Sequence, residues 1–130
     1  MKKAIVVFVM ASALGSFGYA YAEGPDPVAM KGMYDGSRNS SGLISYCVDK
    51  GFLKSDSIEN AKKMVAYVSG VPVEIDKRDG DKSEANGRKG QVRVGEGQYK
   101  DLQTTAPQGV EAWCEQADEG LRKGLSSVGL

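Results

Sequence analysis

The sequence predicts a small, mainly α domain closed by one disulfide. Apolar residues recur at helical spacing in three segments, and a long hydrophilic stretch separates the second from the third. Two cysteines, Cys47 and Cys114, fall on the apolar faces of the first and last of these segments. The chain has 130 residues, a length that fits one domain.

Residues 1–22 read as a cleavable secretory signal peptide. Lys2 and Lys3 precede the apolar run Ala4–Ala11, and Ala20-Tyr21-Ala22 has the small-x-small form that signal peptidase requires. The run is shorter than the roughly 18–20 residues that span a bilayer. No cysteine follows the cleavage point to take a lipid. The mature chain is therefore expected from Glu23, in a bacterial periplasm or released, with no membrane insertion after cleavage. Cleavage removes Lys2 and Lys3 and no acid, so the 17 basic residues fall to 15 against 17 acidic, a net charge of −2. That balance offers no footprint for nucleic acid and no basic face for an anionic lipid surface.

Residues 23–40 mix prolines, glycines and polar side chains without a sustained period. They are expected to form a flexible arm, with Val28, Met30 and Met33 touching the domain. The helical domain with its loop then spans 41–130. Its first helix is predicted over 41–50, with Leu43, Ile44, Cys47 and Val48 on one face and Gly51 in the left-handed position that ends helices. A second helix starts at Ser55-Asp56, with Asp56 as N-cap and Glu59 in its first turn. Ile58, Ala61, Met64, Val65 and Val68 form its stripe, and it stops at Ser69-Gly70 ahead of Pro72. The short link 51–54 makes the two a helical hairpin.

Nine of the fifteen residues in 76–90 are charged, and none carries an aliphatic side chain larger than that of Ala85. A mobile polar loop is predicted there. Val92 and Val94 alternate with polar residues between Gly90 and Gly95, a strand signal, and Tyr99 and Leu102 return the chain to the core. The last helix begins near Pro107, with Val110, Trp113, Cys114, Ala117, Leu121 and Leu125 on one face. Two cysteines in an oxidising compartment pair in one way only. A Cys47–Cys114 bridge closes 67 residues, worth roughly 4 kcal/mol by loop entropy.

The chain has no histidine, which removes the commonest general base and zinc ligand. Glu111, Glu115, Asp118 and Glu119 could in principle supply a carboxylate pair, but on an amphipathic helix they read better as a solvated face. Asp79–Glu84 resembles the start of a calcium loop, yet the sixth and twelfth positions hold Glu84 and Gly90 where that loop needs glycine and an acid. No catalytic residue, metal ligand or cofactor is expected. Trp113 reads as core packing in preference to an interface anchor, and Tyr46, Phe52 and Tyr67 as core or half-buried residues.

Ser41–Cys47 (SGLISYC), Gly51-Phe52-Leu53, Asn86–Gly90 (NGRKG), Asp101-Leu102 and a C-terminal helix carrying Cys114 resemble the YjjA-like family of small exported proteobacterial proteins. The likeness covers residues 41–125. It implies an exported helical domain of unknown function with one disulfide, and brings no catalytic residues. The sequence thus leads to the expectation of a non-enzymatic exported protein acting through a protein partner. The alternatives are a periplasmic acid-stress chaperone and an inhibitor or immunity protein against a wall hydrolase or toxin.

Overall fold

Helix α1 runs from Pro27 to Asp49 and is the element on which the rest of the chain packs. The computed structural model describes residues 26–130. The predicted signal peptide and residues 23–25 of the predicted arm lie outside the described residues. The remainder of that arm is helical, so the first helix begins well before residue 41. Asp26 caps it, its side chain accepting from the Val28 N–H at 3.2 Å, and Pro27 occupies the first turn. Gly32 and Gly36 weaken a helix intrinsically, but burial of Met30, Tyr34, Asp35 and Asn39 against neighbouring elements overrides that preference. Of the three expected anchors only Met30 is buried; Val28 and Met33 are 77% and 57% exposed.

The helix ends as the sequence predicts. Gly51 sits at φ +80°, its N–H bonds the Val48 carbonyl at 2.9 Å, and the Phe52 N–H reaches the Cys47 carbonyl at 3.0 Å. Helix α2, Asp56–Ser69, packs back on α1 to complete the hairpin. Asp56 is its first helical residue and not its cap, because Ser55 already has helical dihedrals. Met30, Tyr34 and Val68 form the core here, flanked by Met64, Val65, Val71, Val73 and Ile75. Tyr67, expected in the core or half-buried, is 47% exposed.

Residues 76–90 are not the continuous polar loop that the sequence predicts. Gly80–Arg88 forms helix α3, packed closely along α1. The segment lacks large apolar side chains, and that is why it packs so near: Gly80, Ser83 and Gly87 are its buried residues. A Cβ on Gly87 would collide with the Asn39 carbonyl, and one on Gly42 with the Glu84 carbonyl. Small residues here bury backbone against backbone.

Strands β1, Gln91–Gly95, and β2, Gln98–Asp101, form an antiparallel hairpin in which Arg93 faces Tyr99. Asn39 ties this hairpin and α3 to α1. Its amide donates to the carbonyls of Ser83 at 3.0 Å and Gln91 at 2.9 Å, and its oxygen accepts from the Arg93 N–H at 2.9 Å. Asn39 is 3% exposed. Asn39→Ala is expected to strand those three backbone groups and to destabilise the fold by about 2 kcal/mol, read as a lower urea midpoint.

The one-turn helix α4, Leu102–Thr105, buries Leu102, whose N–H bonds the Gly90 carbonyl at 2.8 Å. Helix α5, Val110–Ser127, starts three residues after Pro107. Cys47 and Cys114 are bonded and fully buried, with their Cα atoms 5.8 Å apart, so α5 is clamped to the last turns of α1. The fold is mainly helical with one disulfide, and the bond fits a non-cytoplasmic protein. Among the described residues no helix is long and apolar enough to cross a membrane.

Candidate functional site

Trp113 stands one residue before the disulfide, in the first turn of α5. The clamp brings that turn against α1, but the facing residues are small and do not fill the space. Ala61 on α2, Ala117 on α5 and Ser37, Ser40 and Ser41 on α1 leave a hollow of about 240 Å³. Ile44, Met64, Leu121 and Trp113 complete its walls. Ile44 and Ala61, at 2% and 3% exposed, form the part of the wall that belongs to the core. The Ser37 hydroxyl is engaged with the Tyr34 carbonyl at 2.8 Å, so Ser40 and Ser41 supply the remaining hydroxyls.

Trp113 also borders a second hollow of about 140 Å³, lined by Ala106, Pro107, Gln108, Gly109 and Gln116. There Gln116 donates to Gln108 at 3.2 Å. The indole is half-buried and forms a wall common to both spaces. The core packing expected of Trp113 is thus only partly realised, because small residues stand where larger ones would have enclosed it. The aligned small side chains at 37, 40, 41, 61 and 117 were the signal in the sequence, visible only once the helices are paired.

A charged seam joins α1 to the residues at the start of α3. Lys31 bonds Asp35 at 2.7 Å and Asp79 at 2.8 Å, while Arg38 reaches Asp81 at 2.7 Å, Glu84 at 3.2 Å and the Tyr34 hydroxyl at 2.8 Å. Lys31 holds the Asp79 carboxyl below the usual carboxylate range, and Arg78 does the same to Asp76. Asp35 is buried, and its second oxygen has no partner among the described residues. The acids that read as a calcium-loop start, Asp79, Asp81 and Glu84, are spent on this seam. No group of three or more His, Cys, Asp or Glu placed to hold a metal occurs among the described residues.

The α5 carboxylates do not converge. Glu111 and Glu115 are exposed, Glu119 pairs with Lys123 at 2.9 Å, and Asp118 accepts from Ser57 at 2.7 Å and Arg122 at 3.0 Å. Comparison with models of known families, with curated proteins and with solved structures matches this chain to none of them.

Proposed function

We propose that this is an exported, non-enzymatic protein that acts by binding a protein partner through the surface centred on Trp113. The observation that carries the reading is the half-buried indole standing between two adjoining hollows beside the exposed Pro107–Gly109 turn. Tryptophan is enriched among the few residues that supply most interface energy, and such residues sit in or beside pockets. The disulfide next to it fixes the helix that presents it, which lowers the ordering cost of binding. Export, to the periplasm or beyond it, is supported by the signal-peptide pattern and by the disulfide. Capture from a periplasmic extract tests the binding reading. The disulfide-bonded protein should retain a partner that Trp113→Ala, folded to the same melting temperature within a few degrees, fails to retain. Equal retention by both proteins would count against the Trp113 surface. An inhibitor or immunity role would show as a wall hydrolase or toxin in the captured fraction.

A second reading, an acid-stress chaperone, is favoured by one observation: the ion pairs holding α1 to Asp79, Asp81 and Glu84 all depend on carboxylates. A carboxyl whose folded value is lowered, as for Asp76, Asp79 and Glu119, stabilises above its unfolded value near about 4. That contribution is lost as pH falls through the lowered value. With no histidine and both cysteines bonded, stability should be flat between about pH 5 and 7 and fall below about pH 4. Thermal melts across pH 2–7 check this. On the chaperone reading, light scattering shows an acid-sensitive client protected only below about pH 4, and equal protection at pH 7 contradicts the switch.

A further inference from the structure

We infer that the hollow between α1, α2 and α5 is a binding site for a compact, neutral, apolar small molecule, one aromatic ring in size and bearing a single hydrogen-bonding group. Its volume of about 240 Å³ fixes the scale. An enclosed apolar cavity of about 150 Å³ takes up benzene, whereas drug-sized ligands occupy roughly 300–1,000 Å³. A single substituted ring fits between those limits.

The walls fix the chemistry. None of the lining side chains is ionisable, so a charged ligand would lose its hydration without a counter-charge. Trp113 offers an aromatic face, and Met64 a flexible thioether that adapts to a guest. The hydroxyls of Ser40 and Ser41 can meet one polar group on the ligand.

The disulfide explains why the space persists. Closing an apolar hollow recovers packing energy, and α5 could slide inward over Ala61 and Ser41 to recover it. Cys47 lies three residues beyond Ile44 on α1, and Cys114 three before Ala117 on α5. Their bond pins the two helices at the level of the hollow and blocks that slide.

The inference does not depend on a protein partner. Its test uses p-cresol as probe on the mature, oxidised protein, followed by NMR of the Trp113 indole N–H and the methyls of Met64, Ala117 and Leu121. Saturable shifts confined to those groups are expected. Ala117→Phe, which fills the hollow, should abolish them without lowering the melting temperature; should that variant not fold, Ala117→Leu serves the same purpose. Benzoate, similar in size but charged, should bind at least about tenfold more weakly. No saturation up to the solubility of p-cresol, or equal affinity in the filled variant, would overturn the site. So would equal affinity for benzoate.

Discussion

Reduction of the Cys47–Cys114 bond is expected to lower the melting temperature by roughly 15–30 °C. The bond spans 67 residues and ties α1 to α5. Opening a loop of that length returns roughly 4 kcal/mol of chain entropy to the unfolded state. Few other contacts replace it, because α5 carries only two buried residues, Cys114 itself and Leu125. Its remaining apolar stripe, Val110, Trp113, Ala117 and Leu121, is half-buried. Scanning calorimetry with and without reductant, beside a Cys47→Ala/Cys114→Ala double variant, measures the effect. A drop of only a few degrees would mean that α5 is held by packing and not by the clamp.

Gly42→Ala should be nearly as damaging, although it adds one methyl group. The new Cβ would collide with the Glu84 carbonyl and stand 2.9 Å from the Arg88 nitrogen, both rigid backbone. Helix α3 must move away from α1, which strains the Asn39 bond to the Ser83 carbonyl as well. The expected cost is about 3 kcal/mol, read as a lower urea midpoint. Gly120→Ala on α5 is the matched control. Nothing lies within 4 Å of the added carbon there, so helix propensity should make it neutral or stabilising by up to about 1 kcal/mol. Equal midpoints for the two variants would refute the close α1–α3 contact.

Where large apolar side chains do the packing, the sequence was legible. The stripes of α2 and α5, the Gly51 stop and the pairing of the cysteines all follow from spacing and from residue type. Helix α3 was not legible, because its burial is of glycine and serine backbone, which hydropathy patterning does not register. The start of α1 is hidden in the sequence for a related reason. Asp26-Pro27 is a cap followed by a first-turn proline, but the glycines and prolines around it have the composition of an arm. The hollow beside Trp113 depends on small residues from three separate helices, so no local window contains it. The roles of Asn39 and Lys31 were hidden likewise, since each bonds residues more than 40 positions away.

Trp113 is the only tryptophan in the chain, so its fluorescence reports on the proposed surface alone. The decisive measurement is a titration of the oxidised protein with the purified captured partner, chosen free of tryptophan or with its tryptophans replaced. A blue shift of Trp113 emission that saturates at the stoichiometry of the complex is expected, as the exposed edge of the half-buried indole leaves water. A complex formed with full affinity, unchanged Trp113 emission and an unaltered Kd for Trp113→Ala would contradict it.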